Sequence, residues 1–233
     1  VLSLVIAHQL MSSSRSSGGT KPHIGTWQNN PLSLACAEGR SDDVQVLLAD
    51  KDTNINQADK FGATPLFTTC QEGHVDIVRL LLARKEIQIN KAMKDGETPL
   101  FVACVKGRAD IVQLLLARKE IQINQANKDG ATPLSVTCVM GRADIVQLLL
   151  AGKEIQINQV NKDGATPLFV ACAVGSADIV QLLLARKEIQ INPANKDGAT
   201  PLYVACVGGH VDIVQLLLAR KEIQINQARK DGA

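Results

Sequence analysis

A chain of 233 residues that is 45 % apolar and 21 % charged can bury a core, and its formal net charge of +2 leaves no strong attraction to nucleic acid or to a membrane surface. That balance fits a soluble intracellular domain, so a cytoplasmic location is expected. The N-terminal segment Val1 to Leu10 is apolar but carries neither an initiator Met nor a basic n-region. Its Val1 to Ala7 run is short for a secretory h-region and far short of a transmembrane span, so a shortened leader and a lead-in upstream of Met11 both stay open. The serine- and glycine-rich stretch from Ser12 to Gly19 reads as a flexible linker, giving a disordered tail over residues 1–24.

Beyond the tail the chain repeats itself. Thr-Pro-Leu recurs at Thr64, Thr98, Thr132, Thr166 and Thr200 with a period of 34 residues, and a degenerate copy, Asn30-Pro31-Leu32, lies one period upstream. A unit of this length is one supersecondary element that cannot bury its apolar face alone, so it must stack on its neighbours. The boundaries expected are a degenerate capping repeat at 25–58, full repeats at 59–92, 93–126, 127–160, 161–194 and 195–228, and the opening of a further unit at 229–233.

Each part of a unit has a physical reason, seen in the stretch from Lys94 to Asn124. Lys94-Asp95-Gly96 is a hairpin-type turn signal, because Gly takes positive φ without a Cβ penalty. Thr98 then supplies an N-cap and Pro99 a first-turn residue. The first helix runs through Leu100, Val102, Ala103 and Cys104 and stops at Gly107. The second carries Asp110 in its first turn and an apolar face of Ile111, Val112, Leu114, Leu115 and Leu116, with Arg118 and Lys119 expected to close it at the end where cations are favoured. Ile121, Ile123 and Asn124 alternate into the next hairpin.

The period of 34 is that of a tetratricopeptide unit, but such an array needs recurring aromatic knobs and this chain has one Trp and one Tyr. The recurring pattern is instead Asp-Gly-x-Thr-Pro-Leu-x-x-Ala/Thr-Cys-x-x-Gly, then Asp-Ile-Val-x-Leu-Leu-Leu, then Ile-Gln-Ile-Asn. It closely resembles the ankyrin repeat over roughly residues 25–233. The resemblance implies an all-α solenoid of stacked helix pairs joined by β-hairpin-like loops. The chain departs from the family pattern in three places. The usual His after Thr-Pro-Leu is replaced by Phe67, Phe101, Ser135, Phe169 and Tyr203, so packing must take over from hydrogen bonding. The Gly that normally ends the second helix gives way to an Ala-Arg-Lys-Glu segment, with Gly only at Gly152. The first repeat has Asp43 where the others have Ile77, Ile111, Ile145, Ile179 and Ile213, which suits a polar cap because burying an unpaired carboxylate costs several kcal/mol. Repeat six, with Ile213, Leu216 and Leu217, is as apolar as interior repeats, and the expectation is a fragment of a longer array.

The six cysteines, Cys36, Cys70, Cys104, Cys138, Cys172 and Cys206, occupy one position per unit. Equivalent positions in stacked helices lie about 8–10 Å apart, beyond the roughly 7 Å Cα limit of a disulfide. They are expected to be reduced, mostly buried hydrophobes, and without a C-x-x-C they make no zinc site. His8 and His23 lie in the tail, and His74 and His210 hold the ordinary Gly-His position. Asp76, Asp110, Asp144, Asp178 and Asp212 are explained as first-turn dipole partners. No phosphate-binding loop is present, so no catalysis, metal or cofactor is expected.

Function is therefore sought on the surface. The resemblance implies a partner on the concave side, built from the hairpin tips and the exposed end of the first helix. The tips are Lys60-Phe61, Lys94-Asp95, Lys128-Asp129, Lys162-Asp163 and Lys196-Asp197, whose adjacent opposite charges nearly cancel. The helix ends are Gln71-Glu72, Val105-Lys106, Val139-Met140, Ala173-Val174 and Val207-Gly208, a row that turns apolar from repeat three onward. If exposed, these side chains form a shallow groove suited to an amphipathic helix or an extended peptide; the alternative is that they complete the core. A second row, Arg84, Arg118, Arg186 and Arg220 with Lys85, Lys119, Lys153, Lys187 and Lys221, could attract an acidic partner, but beside Glu86, Glu120, Glu154, Glu188 and Glu222 it reads better as solvated, dipole-matched helix ends. The reading is a monomeric protein–protein interaction scaffold without nucleic-acid or membrane partners. Its rivals are a targeting arm of a larger enzyme or channel and a structural spacer.

Overall fold

The computed structural model describes residues 30–226. The tail and linker over residues 1–24, with His8 and His23, and the opening of a further unit at 229–233 lie outside the described residues. Within them are twelve helices and no strand. In chain order they are α1 (Pro31–Glu38), α2 (Ser41–Ala49), α3 (Pro65–Glu72), α4 (Val75–Leu82), α5 (Pro99–Lys106), α6 (Ala109–Leu116), α7 (Pro133–Val139), α8 (Ala143–Leu150), α9 (Pro167–Val174), α10 (Ala177–Leu184), α11 (Pro201–Gly208) and α12 (Val211–Leu218). None has more than nine residues, about two and a half turns, too short to hold together in water by itself.

Local chemistry starts and stops the first helix of each pair. The Thr98 hydroxyl accepts from the Phe101 N–H at 3.1 Å, and Thr64, Thr132, Thr166 and Thr200 make the same cap. In the degenerate copy the Asn30 side chain accepts from the Ser33 N–H at 3.1 Å, so the cap survives the loss of the threonine. At the other end Gly107 sits at φ 70°, left-handed, and its N–H returns to the last carbonyls of α5.

The chain divides into two compact units, one up to Lys128 and one from Asp129. In the first, α1, α3 and α5 pack side by side, as do α2, α4 and α6. In the second, α7, α9 and α11 form one row and α8, α10 and α12 the other. Leu66, Leu100, Leu134 and Leu168 from the first helices, and Ile77, Leu81, Ile111, Leu115, Ile145 and Leu149 from the second, are fully buried. Each such side chain stabilises the fold by about 1.5–3 kcal/mol relative to exposure. Ile55, Ile89, Ile123, Ile157 and Ile191 bury the stretch that follows each second helix.

The departures from the family pattern find their compensations here. Phe67, Phe101 and Phe169 are buried, replacing polar contacts by packing. Ser135 solves the problem differently: its hydroxyl accepts from the Thr132 N–H at 2.8 Å while its own N–H donates to the Thr132 hydroxyl at 3.1 Å, a reciprocal capping box. Asp43 is half-buried and paired with Arg40. The charge that replaces a core isoleucine thus keeps both a partner and contact with water.

The caps should be measurable. Thr98→Ala is expected to cost about 1 kcal/mol, seen as a lower urea midpoint with an unchanged slope, and Thr98→Ser should restore most of it.

Candidate protein-binding surface

The hairpin tips are pinned to one another by backbone hydrogen bonds. In the first unit the Lys94 N–H donates to the Phe61 carbonyl at 2.8 Å and the Lys128 N–H to the Asp95 carbonyl at 2.7 Å. In the second, the Lys162 N–H donates to the Asp129 carbonyl and the Lys196 N–H to the Asp163 carbonyl, both at 2.9 Å. Every tip is therefore fixed to the next within its unit. The tightness needs glycine: at Gly96, with φ 90°, a Cβ would lie 2.9 Å from the backbone of Asn127 and Lys128.

Lys94, Lys128, Lys162 and Lys196 are exposed, as are Asp129, Asp163 and Asp197, whereas Asp95 is half-buried and accepts from the Glu97 N–H at 3.0 Å. The near-cancellation of tip charges has one direct expression, the Lys162 ammonium 4.0 Å from the Asp129 carboxylate. An exposed pair of this kind contributes about 0–1 kcal/mol. At Phe61 the pattern changes, since an exposed ring replaces the acid and the Lys60 ammonium lies 4.9 Å from its centroid.

The expected apolar row is partly realised. In the first unit Val105 and Lys106 are half-buried at the end of α5. In the second, Val139, Met140 and Val174 are half-buried and Val207 is exposed. Ala173 is a correction: it is buried, at 3 % exposure, whereas Val105 and Val139 in the same register are half-buried. The row in this unit thus consists of Val139, Met140, Val174 and Val207.

The arginine row is a second correction. These residues follow the second helices and do not close them: α6 ends at Leu116, before Arg118. Each guanidinium instead reaches back to the last turn of the preceding repeat's second helix. Arg84 donates to the Leu48 carbonyl at 2.8 Å, Arg118 to Leu82 at 2.9 Å, Arg186 to Leu150 at 2.7 Å and Arg220 to Leu184 at 2.8 Å. The dipole argument is sound in kind, but the helix served belongs to the neighbour. The same guanidinium groups hold Glu86, Glu120, Glu188 and Glu222 at 2.9–3.0 Å. Gly152 stands in the equivalent place of the fourth repeat and has no such side chain.

The asparagine of Ile-Gln-Ile-Asn does parallel work that sequence reading missed. Asn90 donates to the Glu120 carbonyl at 2.7 Å and accepts from the Gln122 N–H at 2.9 Å. Asn56, Asn158 and Asn192 repeat both bonds with the next repeat. A side chain that offers one donor and one acceptor at fixed spacing serves this bridge, and the signal was its recurrence at the same register.

Among the described residues no group of three or more His, Cys, Asp or Glu could hold a metal ion. No described helix is long and apolar enough to cross a membrane. All six cysteines are free, and five are buried. Burial pushes the Cys36 thiol up to about 11, with a hydrogen bond to Thr69 acting the other way, and raises Cys70, Cys138 and Cys172 as well. Cys206 is the exception to the expected burial, being exposed on the last helix pair described. Thiol titration of the native protein should therefore show one fast-reacting group and five that react only on unfolding.

The glutamates beside the arginines predict an acid response. Glu86 and Glu188 are held below the ordinary carboxylate range by their own backbone N–H and then by arginine, and for Glu120 and Glu222 the arginine contributes most. A lowered folded-state value gives stability that is present above the unfolded value, about 4.3, and lost as pH falls through the folded one. Urea midpoints should be flat from pH 7 to about pH 5 and decline below about pH 4.3, and replacing the four glutamates by glutamine should make that decline shallower.

Compared with known families, the chain matches the one described as ankyrin repeats (3 copies), over residues 32–127, 89–161 and 153–229. A comparison with curated proteins gives no match.

Proposed function

The chain belongs to the ankyrin repeat family, and we propose that it is a protein-recognition module whose binding surface is formed by the hairpin tips and the ends of the first helices. Ankyrin repeats are generally protein–protein interaction modules, and no intrinsic chemistry is assigned to this one. The observation that carries the reading is how the recurrent polar groups are divided. The Arg and Asn side chains are bonded within the stack, whereas the Lys and Asp side chains of the tips extend from a backbone pinned at 2.7–2.9 Å. A row of polar side chains carried on a fixed backbone, next to partly exposed apolar ones, loses little entropy on binding.

In the unit from Asp129, Val139, Met140, Val174 and Val207 supply the apolar strip, and Lys162, Asp163, Lys196 and Asp197 supply polar tips. In the unit up to Lys128, Val105 and Lys106 with Lys94, Asp95 and Lys128 offer a more polar version. An amphipathic helix or an extended peptide is the occupant such a strip suits best, anchoring apolar side chains between the helix ends while its polar face meets the tips.

Capture of binding proteins from cell extract by the intact chain tests this. Val139→Lys with Val174→Lys should lower affinity for the captured protein at least tenfold, since central apolar anchors are commonly worth more than about 1 kcal/mol. Thermal stability should change by less than about 1 kcal/mol, because these positions are only half-buried. A control chain with Gln147→Lys and Gln181→Lys, both exposed on second helices, should bind as before. Equal binding by all three chains would remove the helix-end row from the surface.

A further inference from the structure

We infer that the end of α7 carries an open subsite for one arginine side chain of the bound protein, an inference that rests on the recognition surface proposed above. At three other joints the residue that follows a helix-ending glycine covers the equivalent glycine of the repeat before it. In the unit up to Lys128, a Cβ built on Gly39 would meet the His74 ring at 2.6 Å and one on Gly73 the Arg108 side chain at 2.7 Å. In the unit from Asp129, one on Gly175 would meet the His210 ring at 2.4 Å. Gly141 is different. The nearest such atom is the Ser176 Oγ, at 3.8 Å, and Gly141 is exposed where Gly39, Gly73 and Gly175 are half-buried. Serine stands where the other three joints place an imidazole or a guanidinium, and the space those groups fill is left open.

The gap is lined by acceptors. His74 Nε2 lies 3.2 Å from the Ala37 carbonyl, and Arg108 Nη2 donates to the Glu72 carbonyl at 2.9 Å. At the end of α7 the same register is held by Val139 and Met140. Among the described residues no hydrogen bond is made to the carbonyl of either. Arg142, next after Gly141, is exposed and bonds to neither.

A helix C-terminus leaves carbonyls unsatisfied and carries the negative end of the dipole, so the occupant it favours is a cation with N–H donors. Two neighbouring carbonyls suit the planar fork of a guanidinium better than the single point of an ammonium. Met140 and Val174, half-buried at the ends of α7 and α9, offer an apolar bed to its methylene stem. The helix ends of this unit, Val139-Met140, Ala173-Val174 and Val207-Gly208, hold no charged residue to compete, unlike Glu38, Glu72 and Lys106 in the other unit. The strip therefore reads an arginine flanked by apolar side chains, the guanidinium at Gly141 and its neighbours on Val174 and Val207.

The test selects from a displayed library of random short peptides on the full chain. The peptides recovered should share an arginine, and its replacement by alanine should weaken binding roughly tenfold or more. The subsite can also be filled from the protein, with Ser176→Arg or with Ser176→His, the residue type already seated at Gly39 and Gly175. Either change should weaken the arginine peptides by a similar factor and leave their alanine versions unaffected. Both variants should melt no lower than the unaltered chain, and Ser176→Ala should bind as before. Peptides without a shared arginine, an empty selection, or an arginine whose loss costs as much against the two filled variants as against the unaltered chain would overturn the inference. The double change Val139→Lys with Val174→Lys then separates the two readings: lost peptide binding keeps the recognition surface without the arginine subsite, and unchanged binding removes both.

Discussion

Everything in this protein depends on one constraint: a helix pair of eight-residue helices has more apolar surface than it can cover by itself. Ile111, Val112 and Leu115 are buried only because α6 has helices packed around it, α5 from its own repeat and α4 from the one before. In such an array stability is approximately a sum of repeat terms and nearest-neighbour terms. The repeated sequence is a consequence, since each unit must present the same two faces, one to receive and one to be received.

Two of the recurring polar residues serve the same constraint. Arg118 neutralises the end of a helix in the repeat before it, and Asn90 bonds to the backbone of the repeat after it. These bonds satisfy carbonyl and amide groups that helix ends and turns would otherwise leave without partners. The proposed recognition surface is what remains, the side chains of the tips and the ends of the first helices. Within each unit, this separation leaves the stacking contacts repeated while the tip and helix-end residues vary along the chain.

The helix pairs, their caps and the burial of the cysteine row were legible from sequence because each rests on local chemistry or strict period: Thr before Pro starts a helix, Gly ends it, and one cysteine per unit cannot find another. The arginine row was legible as cationic helix-end chemistry but was placed on the wrong helix. Period 34 fixes what kind of residue recurs, whereas a contact 36 residues away depends on the stacking offset, which no single unit contains. The same limit applied to Asn90, whose partners are 30 and 32 residues on. At the surface, Ala173 was grouped with its neighbours by register alone, and register does not fix exposure: it is buried while Val105 and Val139 in the same register are half-buried. Cys206 differed from its five equivalents for a reason that depends on what stands beside the repeat, not on the repeat itself.

The claim at the centre is that neighbours, not intrinsic helix strength, hold each pair in place. Within the unit from Asp129 this can be read by amide hydrogen exchange, because α10 and α12 share the sequence Asp-Ile-Val-Gln-Leu-Leu-Leu and have the same intrinsic propensity. The α10 pair is flanked by helices on both sides in its row, whereas α12 packs only on α10 and α11 among the described residues. Exchange should be at least tenfold faster across Ile213–Leu218 than across Ile179–Leu184, in a sample shown to be monomeric. Equal protection of the two identical segments would contradict the account.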